Sequence, residues 1–133
     1  MSQRLAVRFV ADCDETRARG LMFASPLDQN EIALFVFPRA ERHAFWNKNV
    51  ECPLDLACLD ENGKVVDFKH LDAQSESSVR PDSPARFVVE AAKGTFDRLN
   101  VAMGDYLLYE GSNMTVVRTN QQVNARHAYK IIN

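Results

Sequence analysis

The sequence predicts an α+β fold, mainly antiparallel β, built as a small compact barrel-like or sandwich-like sheet with two short helices. Three observations carry this: apolar runs of strand length separated by turn residues, clean alternation in the first of them, and only two stretches with helix-start signals, both short. Residues 4–11 alternate, with Leu5, Val7 and Phe9 on one side and Arg8 on the other, and form the first strand. Asp12 and Asp14 can cap a helix whose early Glu15 suits the positive end of the dipole. That helix continues over 16–23, is weakened by Gly20, and stops at Ser25-Pro26. Residues 32–37, Ile-Ala-Leu-Phe-Val-Phe, are the strongest core signal and form a central strand that Pro38 ends.

Two further extended runs follow, 44–50 and 54–59, divided by Pro53, which cannot donate to a ladder and marks a bend. Asp60-Glu61-Asn62-Gly63 is a hairpin turn, and 64–71 is the returning strand. Residues 72–84 are polar, with two prolines, and form a long surface loop of the kind that often carries function. Strand 86–92, a short helix over 95–100 after Gly94 and strand 106–110 complete the body.

With 46% hydrophobic and 26% charged residues in 133, the composition is that of one globular domain large enough to bury a core without staples. The formal charge of −2 and a pI near 5.9 argue against generic nucleic-acid binding. That charge is unevenly divided. Residues 1–110 hold 13 basic and 18 acidic side chains, whereas 111–133 hold Arg118, Arg126 and Lys130 and no acid. The chain therefore divides into a β-rich domain over 1–110 and a basic, Asn/Gln-rich extension over 111–133, expected to be an extra strand or a docking arm. The longest apolar run is six residues, too short for a membrane span or a secretory core, so a cytoplasmic location is expected. Cys13, Cys52 and Cys58 form no paired or zinc-like spacing, and His43, His70 and His127 lie far apart, so neither a metal nor a cofactor is expected.

One ordered set of motifs goes further. Arg17-x-x-Gly20-Leu21-Met22, Leu34-Phe35-Val36-Phe37, Phe45-Trp46-Asn47-Lys48-Asn49, Pro53-Leu54-Asp55 and Gly104-Asp105 together resemble domain-of-unknown-function family 192, a widespread prokaryotic family of small, mainly β proteins that also occurs in phage genomes. The resemblance spans residues 5–107, and its most specific part is the Trp box followed by Pro-Leu-Asp. Five positions depart from the family pattern: Thr16 replaces a Glu, Ile32-Ala33 replace Gly-Met, Asn47 replaces a Met, and Val50 replaces a Thr. Membership implies no activity.

The candidate ligand-binding set is Arg17, Trp46, Lys48, Asn49 and Asp55. On a strand Trp46 and Lys48 would share a face, where a ring beside an ammonium suits a small anion, a sugar or a base. The structural alternative buries Trp46 in the core and pairs Arg17 with Asp55, tying the helix to the Trp box. The candidate partner-contact set is Arg118, Arg126, Tyr129 and Lys130. No nucleophile–base or metal pattern appears, so the expected function is a non-catalytic binding or assembly protein. It would make its contacts, with a protein partner or a second copy, through the extension and loop 72–84. The alternative is a small-ligand-binding protein or enzyme using the groove around the Trp box.

Overall fold

The computed structural model describes residues 3–118. Its elements are β1 (Gln3–Ala11), α1 (Asp14–Arg19), β2 (Glu31–Glu41), β3 (Leu54–Leu59), β4 (Val65–Leu71), β5 (Ala85–Ala92), α2 (Thr95–Arg98), β6 (Tyr106–Glu110) and β7 (Asn113–Val117). All seven strands join one sheet in the order β4-β3-β5-β2-β1-β7-β6. Every pair is antiparallel except β1 with β2, which run parallel. A parallel neighbour needs a crossover of about a dozen residues or more, and α1 with the loop after it supplies that length. The N-cap of α1 is Cys13 rather than Asp12 or Asp14, and the Cys13 N–H donates to the Thr16 hydroxyl at 3.2 Å.

The sheet curls into a half-barrel. Its edge strands β4 and β6 meet at one end, where Lys64 bridges Tyr106 and Leu107 N–H donates to the Gly63 carbonyl at 2.9 Å. The curl encloses one core, containing Leu5, Leu34, Ala57, Phe87, Leu107 and Phe96 of α2. A second core lies on the other face, beneath α1 and the Trp box, and contains Phe35, Phe45, Leu54, Leu56 and Val88. Alternation along each strand divides the residues between the two.

Two expected elements differ. Pro38 does not end β2, which runs on to Glu41 through an irregularity in its pairing with β5 between Val36 and Glu41. The carbonyls released there find other donors: Arg17 Nη1 reaches the Val36 carbonyl at 2.7 Å, and Arg86 Nε reaches that of Phe37. The expected strand over 44–50 is instead a looped segment in which only Phe45 pairs, with Val79. Asn49 turns it back with φ of 59°. Loop 72–84 is tied onto this segment, since Asn47 N–H donates to the Ser75 carbonyl and Gln74 N–H to that of Val50, both at 2.9 Å.

The expected Arg17–Asp55 pair does not form. Arg17 bonds Val36 and Asp14, the latter at 2.8 Å. Asp55 alternates with Leu54 and Leu56 of the α1-side core and so projects from the opposite face of the sheet. There it accepts from Gly94 N–H at 2.7 Å and meets His70 Nδ1 at 3.0 Å. Trp46 is 45% exposed and does not fill the core.

The separation of these two residues has a measurable consequence. Arg17→Met and Asp55→Asn should each lower stability by about 1–3 kcal/mol through lost hydrogen bonds, and in urea unfolding the double variant should equal the two added together within about 0.5 kcal/mol. A coupling above about 1 kcal/mol would restore the direct pair.

Candidate functional site

No residue of α1 is buried, so the helix lies over the sheet as a cover rather than as part of its packing. It approaches closely at its end, where Gly20 has φ of +49° and a Cβ there would stand 3.4 Å from Phe35 Cζ. Between this cover, β2 and the Trp box lies a cavity of about 300 Å³, lined among others by Arg17, Gly20, Phe35, Trp46, Asn47 and Glu90. That is the lower end of the range for small-molecule sites. Its aromatic wall is rigidly braced. Phe35 makes edge-to-face contacts with Phe9 and Phe45, at centroid distances of 6.1 and 5.9 Å. Phe37, also lining the cavity, stacks on His43 at 3.6 Å and carries the Arg17 guanidinium 5.4 Å above its ring.

Asn47 is fully buried in this wall. Its Nδ2 donates to the carbonyls of Cys52 and Asp72, at 3.0 and 3.1 Å, which fixes the orientation of the amide because only the NH₂ end can face two carbonyls. Oδ1 is left as a buried acceptor without a partner. Such an atom forfeits its hydration, at about 1–3 kcal/mol, unless something else supplies a donor.

Glu90 is the second polar group. It lies on β5 with Leu56 of β3 and Ala33 of β2 as its register neighbours, both in the α1-side core. The side chain is 5% exposed, and no hydrogen bond or ion pair to it is formed among the described residues. Burial alone pushes its carboxyl up to about 8, so at neutral pH the group holds its proton. The cavity wall thus holds an unpartnered amide oxygen and a neutral carboxyl among aromatic and aliphatic side chains, with Asp14, Arg17 and Arg19 contributed by α1.

The five candidate ligand-binding residues are divided by the fold. Arg17 and Trp46 line the cavity. Lys48 stands beside its mouth, with Nζ 5.4 Å from the centre of the Trp46 ring. Asn49 serves through its backbone, its carbonyl accepting from Phe23 N–H at 2.9 Å. Asp55 belongs to the far face, where His70 is held between it and Asp72 at 3.0 and 2.9 Å; hydrogen bonding, first to Asp55 and then to Asp72, raises the imidazole's pKa. Of the partner-contact set, Arg118 is engaged within the fold, donating to Gln3 Oε1 at 2.5 Å and to the carbonyls of Asn100 and Leu99 at 2.8 Å. Arg126, Tyr129 and Lys130 lie outside the described residues. Residues 113–117 form β7, hydrogen-bonded to β1 and β6. Cys58 is buried in the core with its thiol pushed up to about 12, and His43 stacks on Phe37.

Asn47 and Glu90 do not stand out as a site from the sequence. A signal exists for both. Glu90 is the one acid inside the apolar run 87–92, and Asn47 is a polar replacement of the apolar residue at the centre of the Trp box.

The unpartnered carboxyl makes stability depend on pH with a defined sign. An unfolded Glu ionises near 4.5 and the native one near 8, so the native state binds the extra proton between those values. Stability is fully present below the lower value and falls as pH rises through the window. Glu90→Gln should remove this slope. Between pH 5 and pH 8 the parent protein should lose about 2–4 kcal/mol more than the variant in urea unfolding, since each pH unit crossed within the window costs about 1.4 kcal/mol. Parallel pH profiles for the two would contradict the burial of an unpaired carboxyl.

Comparison with known proteins agrees with the motif pattern. The profile of DUF192, described as an uncharacterized ACR family, matches residues 2–109. A UPF0127 protein of Pyrococcus furiosus is 32% identical over 109 residues, covering 78% of this chain and 86% of the relative. A UPF0127 protein of Thermococcus gammatolerans is 32% identical over 106 residues, covering 76% of this chain and 65% of its own length. Among solved structures, a Sinorhizobium meliloti protein for which transcription regulation has been suggested superposes with a TM-score of 0.71 at 26% identity, over 80% of this chain and 92% of that one. A protein of unknown function from Novosphingobium aromaticivorans gives 0.70 at 25% identity, over 75% and 73%. The chain therefore belongs to the DUF192 family of uncharacterised proteins.

Proposed function

We propose that this protein is a non-catalytic binding module that takes a small polar organic ligand into the cavity beneath α1. One observation carries the reading: the Asn47 amide is clamped by two backbone carbonyls so that its oxygen is buried and unpartnered in the cavity wall. Buried polar atoms in folded proteins are nearly always satisfied, and the exceptions call for an explanation. A ligand donor is the simplest one here, because the cavity has the volume for it and its aromatic wall is preformed. The absence of any nucleophile–base pair among the described residues around the cavity favours binding over catalysis. Trp46, half in solvent at the rim, would cover an occupant by stacking.

Assembly with a protein partner or a second copy is the second reading. It rests on the acid-free basic composition of 111–133, which complements the acidic body. Loop 72–84 supports it less, since its backbone is bonded to the Trp box.

The cavity reading is tested by a screen of polar organic fragments against the parent protein and Ala18→Trp. Ala18 lines the cavity from the exposed side of α1, so a bulky side chain there should narrow the mouth without disturbing the core. Fragments that change Trp46 fluorescence in the parent should lose at least tenfold in affinity in the variant. Equal binding to both proteins, or no binding at all, would overturn the reading.

A further inference from the structure

Two polar groups of the cavity wall, Asn47 and Glu90, have oxygens without a partner among the described residues. Both Nδ2 hydrogens of Asn47 are used by backbone carbonyls, so that residue offers the cavity only an acceptor. Glu90 is buried and offers a carboxyl that makes neither a hydrogen bond nor an ion pair among the described residues. Its neighbours across the sheet, Ala33 on β2 and Leu56 on β3, are apolar. The charged groups that line the same cavity come from α1, and they are Asp14, Arg17 and Arg19. Arg17 is committed to Asp14 and to the Val36 carbonyl. None of these cations, nor Lys48 over the Trp46 ring, acts on the Glu90 carboxyl, whose proton affinity is set by burial alone.

An occupant that brings hydrogen-bond donors and positive charge would supply the partners that Asn47 Oδ1 and the Glu90 carboxyl lack. A carboxylate would meet Asn47 Oδ1 and an ionised Glu90 with acceptors alone. We propose that the cavity is built for an organic cation, whose ammonium or guanidinium head donates to Asn47 Oδ1 and to the ionised carboxylate of Glu90. The proposal rests on the cavity's being a ligand site and adds the chemical class of the ligand. The binding step is then a proton exchange: the carboxyl O–H gives its proton to solvent as the cation enters, and a buried ion pair replaces a buried neutral acid. The aromatic residues around it, Phe35, Phe45 and Trp46, present ring faces and edges that tolerate a cationic head and its methylene groups.

Methylguanidinium, acetamide and acetate are suitable probes, titrated at constant ionic strength and read by Trp46 fluorescence and by the ¹³C-methyl resonances of Leu21 and Met22, which line the cavity. Methylguanidinium should shift those methyls, acetate should not, and acetamide, which donates without charge, should bind at least tenfold more weakly than methylguanidinium at pH 9. Because the guanidinium stays charged throughout, its affinity should rise about a hundredfold from pH 6 to pH 9 as the cost of removing one proton from a group near 8 disappears. Glu90→Gln should abolish that rise and lose at least tenfold in affinity at pH 9. Shifts caused by acetamide or acetate but not by methylguanidinium would overturn the cation and leave the cavity as a site. No shift with any probe would overturn both. Binding of methylguanidinium that is independent of pH and unchanged in Glu90→Gln would remove Glu90 from the site.

Discussion

A carboxyl group held in the middle of a sheet with no partner is the constraint around which the α1 side of this protein is arranged. Glu90 sits on β5, between β3 and β2, where it is buried and its register neighbours are apolar. The fold tolerates the group by keeping it protonated, and that solution works only while pH stays below about 8. Its register neighbours Ala33 and Leu56 are apolar. Arg17 of the covering helix is drawn away to the carbonyl that the irregularity in β2 releases.

The same economy governs Asn47. Its NH₂ group joins the Pro53 bend to the start of loop 72–84 by bonding Cys52 and Asp72, and so organises two segments that have no ladder of their own. The amide oxygen is what this leaves over. A position that is apolar in the family pattern thereby becomes, in this chain, a structural crosslink and a free acceptor at once. The family resemblance locates the box, and the replacement within it defines what the box can bind.

Much of the fold is legible in the sequence because it depends on local alternation. The strands at 54–59 and 106–110 lie where the apolar runs place them, and the Asn62-Gly63 turn joins β3 to β4. What was not legible depends on contacts between distant segments. Pro38 reads as a strand end, yet β2 continues because Arg17 and Arg86, 21 positions before it and 48 after it, satisfy the exposed carbonyls. The Trp box reads as a strand, yet loop 72–84 bonds it as a turn. Asp55 reads as part of the box because it follows it in sequence, while strand alternation sends it through the sheet to His70. Trp46 and Lys48 do meet, though by a turn rather than by a shared strand face. Glu90 is inconspicuous because a single acid in an apolar run shows nothing of its partners until the strands on either side are known.

Both the stability of the α1 side and the character of its cavity turn on the ionisation of one group, and ¹³C-carboxyl NMR of Glu90 in the intact protein measures it directly. The carboxyl resonance should titrate near pH 8 and remain that of the protonated acid at pH 6. Titration in the ordinary carboxylate range, near 4.5, would show that the group has water or a counterion the structure does not give it, and the cavity would lose both its unpaired charge and its selectivity for cations.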